Sequence, residues 1–332
     1  MIKRFTFVAA LLLSISLAKA ESVKIGDLYY LLAPTHPDVY EAMVTYSPND
    51  YKGMTEIVIP STVTYDGTEY TVTQIGAQSF YYCSTLSKIS IPSTVHHIGA
   101  EAFLGTPLYN DKNNWHDNVC IIDNCIIFSK NRAVTSYNIP EGIRVIADNA
   151  FEGSVELRTL TIPSSVIGIG NSSFENAPIS ELILPPNLRY LGAVAFNGAE
   201  ITSLTLPSTL QFIGIISFPW NKINERFDLY CHATVPPLWI ATSLSFTLLG
   251  SSKYSGFNFK SIYAHVPKTA LADYRENDAG YWPNFTLAGD ITPVENPKAD
   301  VTNRAKKVLN NGNIYLLSPD GRQYDLLGTE VK

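Results

Sequence analysis

An apolar residue followed by proline recurs along the chain at Ile59-Pro60, Ile91-Pro92, Ile139-Pro140, Ile162-Pro163, Leu184-Pro185 and Leu206-Pro207. The last four of these prolines lie 23, 22 and 22 residues apart. Six residues after five of the prolines stands an aliphatic residue (Ile98, Ile146, Ile169, Leu191, Ile213), and eleven residues after stands phenylalanine (Phe103, Phe151, Phe174, Phe196, Phe218). Glycine follows the aliphatic residue at Gly99, Gly170, Gly192 and Gly214, with Ala147 in the remaining copy. Ile75-Gly76 and Phe80 are the same positions in a first copy that carries nine extra residues after Pro60. Self-similarity at a fixed short period marks a stack of repeats.

Leu204-Thr205-Leu206-Pro207 and Leu160-Thr161-Ile162-Pro163 alternate apolar and polar residues, the period of a half-buried strand. Proline ends each strand. A corner and a second short extended segment should follow, with the aliphatic residue pointing inward. Glycine should permit a tight turn, and the Ala-x-x-Phe stretch should form one helical turn that closes the core with its phenylalanine. No single unit of this length can bury both its strand and its phenylalanine, whereas stacking buries them against identical neighbours.

The run L-x-x-I-x-I-P, then S-x-V, then I-G-x-x-A-F, as in Leu86 to Pro92 and Ile98-Gly99-Ala100-Glu101-Ala102-Phe103, resembles the BspA-type leucine-rich repeat. The resemblance extends from about Met54 to Phe218. It implies a β-rich (α/β-type) leucine-rich-repeat solenoid of stacked repeats, ~22–23 residues each, with short parallel strands and N- and C-terminal caps. It also implies an exported surface protein of the kind found in Bacteroidota, attaching to matrix proteins or to other cells. Two departures are visible. About 25 extra residues separate the Pro92 and Pro140 copies and hold a hairpin at Val119–Phe128, which should protrude from the coil or plug one turn. Pro219-Trp220 closes the last copy.

The domain organisation follows. Residues 1–20 read as a signal peptide: basic Lys3 and Arg4, an apolar run from Phe5 to Leu17, and the small-x-small signal Ala18-Lys19-Ala20. Residues 21–53 form an N-terminal β cap, with strands at Leu28–Leu32 and Tyr40–Tyr46. Residues 54–220 are the repeats, with the hairpin insertion at about 107–132. Residues 221–289 hold degenerate repeats and a C-terminal cap. In them Leu229–Ala233 and Ile262–Pro267 are strands, Thr269 caps a short helix through Arg275, and Tyr281-Trp282-Pro283-Asn284-Phe285 packs the end. This closing segment also resembles that of BspA-type proteins. Residues 290–307 are a polar linker, and 308–332 a small C-terminal β hairpin resembling the tails of exported Bacteroidota proteins.

Composition narrows the function. Charged residues are only 16%, against about 25% in ordinary soluble domains. The net charge is −6; without Lys3, Arg4 and Lys19 it becomes −9. No basic footprint for nucleic acid exists. No apolar run reaches the ~20 residues of a spanning helix, so the mature chain is expected to be exported and monomeric, on the cell surface, associated with the outer membrane, or secreted. Cys83, Cys120, Cys125 and Cys231 lack metal-ligand spacing. With a two-residue turn at Asp123-Asn124, Ile122 faces Cys125 and Cys120 faces Ile127. The two sulfurs are then diagonal neighbours, near or beyond disulfide reach, and all four cysteines are expected to be free, buried small hydrophobes.

No catalytic motif stands out, so no catalytic, cofactor-binding or metal residue is assigned, and a binding protein is expected, not an enzyme. His96-His97 reads as an ordinary pair of surface or turn histidines. Trp115, Trp220, Trp239 and Trp282 are either cap packing or sugar-stacking platforms; the latter would fit a glycan-binding accessory protein of polysaccharide uptake. The strand positions that point outward form one column of Val58, Ser90, Asn138, Thr161, Ile183 and Thr205, and another of Glu56, Lys88, Ser136, Thr159, Glu181 and Ser203. From the first column, Ser90, Asn138, Thr161, Ile183 and Thr205 are the candidate face for a protein (host matrix or cell-surface) or a glycan.

Overall fold

The alternation in the proline-terminated segments is realised as short strands with only the central side chain inside. Glu56–Val58, Lys88–Ser90 and Thr159–Thr161 each bury their middle residue and expose both flanks. The computed structural model describes residues 22–36, 39–47, 51–219, 225–240, 259–277, 281–292, 306–310, 313–317, 323–324 and 330–331. Residues 1–20, expected to be a signal peptide, and most of the expected linker lie outside these residues. The chain divides into two compact units at residues 291/292.

In the first unit neighbouring repeats bond to one another on up to three sides, with a break at the hairpin. The proline-terminated strands pair in parallel, Glu56–Val58 with Lys88–Ser90 and Ser136–Asn138 with Thr159–Thr161. The second segments form a longer parallel ladder, Val145–Ile146, Gly168–Ile169, Tyr190–Leu191, Phe212–Gly214 and Leu238–Ile240. On the third side no helix forms. The Ala-x-x-Phe stretch is a turn whose alternate N–H groups donate to the next repeat: Asn149 to Asn171 O, Phe151 to Ser173 O and Gly153 to Glu175 O. A helical turn would spend those donors internally; the extended turn spends them on the stack. Inside, Phe151, Phe174 and Phe196 stack nearly parallel with centroids 5.2 Å apart.

The repeat glycines serve a purpose different from the one expected. None of Gly76, Gly99, Gly170, Gly192 or Gly214 is left-handed. A Cβ on Gly99, Gly170, Gly192 or Gly214 would clash with a backbone nitrogen of the preceding turn, at Ala77, Asp148, Asn171 and Ala193 in that order. The left-handed residue comes two places later, at Gln78, Glu101, Asn149, Ser172, Val194 and Ile216. Ala147 differs in its neighbour, which is the hairpin strand and not a repeat turn, Ala147 N donating to Ile126 O. Gly192→Ala should therefore cost about 1–3 kcal/mol through forced separation of the turns. Ala147→Gly should cost only about 0.5–1 kcal/mol. Urea denaturation of the two variants checks the contrast.

The insertion neither protrudes nor plugs; it becomes part of the stack. Val119–Ile122 and Cys125–Ser129 form an antiparallel hairpin, and Cys125 and Ile126 pair in parallel with Val145 and Ile146. The turn residues Asp123 and Asn124 are both left-handed, as a two-residue hairpin requires. One face of the hairpin (Cys120, Ile122, Cys125, Ile127) packs into a core shared with Leu28 to Phe103. The other (Val119, Ile126) packs into the core running to Phe285. Burial on both faces explains why this segment is continuously apolar. The expected Cys120–Ile127 pairing is displaced by a bulge: Ile121 faces Ile126, and Cys120 faces Phe128. All four cysteines are free and buried.

Strand His97–Ile98 pairs with Gln74–Ile75, and the hairpin strand holds the place beside Val145–Ile146 that it would fill in an unbroken stack. It passes instead over the following turns. A Cβ on Gly168 would clash with the carbonyl oxygen of His96. The histidines expected at the surface are thus buried.

At the N-terminal end Val23–Ile25, Leu28–His36 and Val39–Val44 form a sheet with Thr68–Ile75 and Thr62–Tyr65 of the first copy. After them Phe227–Cys231, Ile262–Pro267 and Thr286–Ile291 continue in parallel from Ser203–Leu206. Thr269 does not cap a helix: it lies inside a 3₁₀ turn, Lys268–Ala270, that leads into helix Leu271–Arg275 without a side-chain cap. The last strand runs past residue 289, the boundary expected for this region. Among the described residues of the second unit are four antiparallel strands, where two were expected: Lys306–Asn310, Asn313–Leu317, Gln323–Tyr324 and Glu330–Val331.

Candidate binding face

Parallel pairing in register aligns the outward side chains into columns. Val58 stands opposite Ser90 and Asn138 opposite Thr161; Glu56 stands opposite Lys88 and Ser136 opposite Thr159. A bridge joins Thr159 to Glu181, which places Ile183 next along the first column. All five candidate residues are exposed, and Ile183 is 85% exposed. The structure does not bring the five together as one sheet. Ser90 belongs to the strand pair ahead of the hairpin, Asn138 and Thr161 to the pair behind it, and Thr205 to a separate four-stranded sheet. The face is lightly charged, with the exposed ion pair Lys88–Glu56 at 2.7 Å adding little stability.

The columns run on past Thr205, the last position expected in them. Thr205 is opposite Tyr230 and Tyr230 opposite His265; Ser203 is opposite Asp228, then Tyr263 and Thr286. The signal was present in the alternation of Phe227-Asp228-Leu229-Tyr230-Cys231 and Ile262-Tyr263-Ala264-His265. The changed spacing after Phe218 hid its alignment. Here the face changes character. Arg226 grips Asp228 through Nε and Nη2 at 2.7–3.1 Å, and its guanidinium lies 4.2 Å from the Tyr263 ring centre. His265 stacks on Tyr230 at 4.5 Å. Its Nδ1 lies 2.7 Å from Asp290 and its Nε2 3.1 Å from Asp228.

Partial burial works against the charged form of His265, but the bonds to Asp290 and Asp228 outweigh it and raise its pKa. Asp228 is held below the usual carboxylate range, first by the Arg226 hydrogen bonds. A histidine raised in the fold stabilises while it is charged, below its ordinary value. It loses that contribution as pH rises through the raised value. The cluster binds the last strand of the first unit to the two strands before it.

Trp282 and Trp239 are not open platforms but are buried among the closing aromatics. Trp115 is half-buried, its Nε1 donating to Tyr109 O and its ring covered by Lys130 at 3.6 Å. Trp220 lies outside the described residues. Among the described residues no helix is long and apolar enough to cross a membrane.

Solved structures with similarity to this chain include a leucine-rich repeat protein from Bacteroides ovatus, at 19% identity over 74% of this chain and 70% of that one, with a TM-score of 0.29. The pneumococcal vaccine antigen PcpA matches at 14% identity over 82% and 98%, with a TM-score of 0.31. A leucine-rich repeat protein of T. pallidum matches at 20% over 70% and 97%, with a TM-score of 0.26. No curated protein matches the chain. The BspA type leucine-rich repeat region matches in six copies over residues 50–178 and 124–226, more than half of the chain. This chain belongs to the BspA-type leucine-rich repeat family.

Proposed function

We propose that this is an exported, monomeric, non-enzymatic binding protein, displayed on the cell surface or secreted, that attaches to a protein partner through the outward strand face. The repeats act as a solenoid, and the flanking sheets cap its ends. One observation carries the reading: the exposed columns stay in register from Asn138 and Thr161 onward and again from Thr205 to Tyr230 and His265. Extended surfaces of stacked repeats are suited to binding. Tyrosine and arginine, the types enriched where protein interfaces bind hardest, stand at Arg226, Tyr230 and Tyr263. Family membership supports a protein-binding or adhesive role in general terms.

Saturable binding of residues 21–332 to a panel of immobilised extracellular matrix proteins is the expected result. Thr161→Arg places a bulky charge on an exposed strand position, where stability changes little, within about 0.5 kcal/mol. It should weaken that binding about tenfold, roughly 1.4 kcal/mol, with no change in Tm. Binding that is indifferent to Thr161→Arg and to Tyr263→Ala would remove this face from the function.

A further inference from the structure

The residue two places after each stacking phenylalanine is left-handed in five copies: Tyr82 (φ 52°), Gly105 (81°), Gly153 (71°), Asn176 (64°) and Gly198 (104°). Glycine and asparagine take this region at little cost, whereas a bulky side chain there is an outlier. Tyr82 breaks the pattern that the repeats themselves set. Core burial cannot be the compensation, because Tyr82 is 61% exposed. Strain kept at an exposed position points to a task for the side chain.

The surroundings indicate the task. The Tyr82 ring lies over Gly105, where a Cβ would come within 2.7 Å of it. Tyr81 meets Tyr82 edge-on at 4.5 Å and 75°. Tyr46, itself exposed, follows Val44, whose carbonyl accepts from Gly76 N and Ser79 Oγ of the same turn. Gln78 and Glu101 stand at the left-handed positions of these two neighbouring turns. Both are exposed, joined by Gln78 Nε2 donating to Glu101 Oε2 at 2.8 Å. The next four copies carry Leu104-Gly105, Glu152-Gly153, Glu175-Asn176 and Asn197-Gly198 in place of Tyr81-Tyr82, and the last carries Pro219-Trp220, so the tyrosine pair belongs to the first turn alone.

Aromatic rings beside planar polar groups match a pyranose, which has an apolar face of C–H bonds and a rim of hydroxyls. The rings take the face through their negative π-surface, and the amide and carboxylate take hydroxyls as donor and acceptors. The group contains no cation, which favours a neutral sugar over a sulfated or sialylated one. Its edges are polar rather than sealed by apolar contacts, which argues against a protein hot spot. We propose that Tyr46, Tyr81, Tyr82, Gln78 and Glu101 form a binding platform for a neutral polysaccharide. It lies on the turn side of the stack and does not rest on the strand-face reading.

The test is native affinity electrophoresis of residues 21–332 in gels containing soluble starch, β-glucan, xylan or galactomannan. At least one is expected to retard the protein. Tyr82→Gly and Tyr82→Asn, the residues that other copies use, should weaken that retardation about tenfold or more while Tm is unchanged or higher. Glu101→Ala should weaken it in part. No retardation by any of the four, or retardation that survives Tyr82→Gly, would overturn the proposal. Loss of matrix-protein binding in Tyr82→Gly without any polysaccharide retardation would overturn it in favour of a protein contact.

Discussion

Phe174→Ala should cost about 3–5 kcal/mol, the range for deleting a fully buried aromatic ring. Phe174 has no exposed surface. It is the middle of three rings, 5.2 Å from Phe151 and 5.2 Å from Phe196, with interplanar angles of 8° and 2°. Its backbone N–H donates to Ala195 O and would keep doing so. The ladder is then left intact around a cavity that rigid neighbouring turns cannot close. In a stack stabilised mainly between nearest neighbours, the loss falls on both interfaces at once and uncouples the turns before Phe174 from those after it. Urea denaturation should show a lower midpoint and a transition that broadens or splits. A fall in Tm of roughly 10 °C corresponds to this loss at this size. A cost below about 1 kcal/mol would mean that the ring stack adds little beyond the backbone ladders.

The periodic columns were legible because each is under a constraint that repeats with every turn. Ile91, Ile98 and Phe103 must face inward in each copy, so the sequence restates them. What the sequence hid are features that occur once. The glycine column was visible, but its cause was not: the steric limit comes from the turn below, as Asn171 N below Gly192, and not from the glycine's own dihedral angles. The hairpin's apolar run was visible too. Whether it faced one core or two depends on where the stack is interrupted, and no local pattern encodes that.

The binding face was legible in the same uneven way. Thr161 and Asn138 could be aligned because their strands lie 23 residues apart, the length of one repeat. Tyr230 and His265 are 35 residues apart, since a longer excursion joins their strands, and only the pairing register reveals that they share a column. Tyr82 lay in plain sight as a departure from glycine, but only its backbone angle makes the departure costly.

The stability of the chain should fall steeply with acidity through His96. Its ring is buried at the break in the stack, against Tyr190 at 5.6 Å and Phe212 at 5.8 Å, and neither ring nitrogen has a hydrogen-bond partner. Burial, then the neighbouring charges of His97 and Arg189, push its pKa down to about 3. The unfolded chain takes up a proton near the ordinary value of about 6.5, while the folded chain refuses it until about 3. Between those values the unfolded state binds more protons, so stability falls as pH falls. At pH 4 the loss is on the order of 3 kcal/mol. Glu41 works in the opposite direction over an overlapping range. Burial raises its carboxyl to about 7, so the folded state takes the proton first and gains stability on acidification. The wild-type profile alone therefore mixes two signs, and the difference from His96→Phe isolates one. Phenylalanine fills the same aromatic stack and cannot be protonated. Urea denaturation at pH 7 and pH 4 should show the variant losing about 3 kcal/mol less than the wild type. Equal losses would mean that the break in the stack opens or hydrates on acidification before His96 is charged.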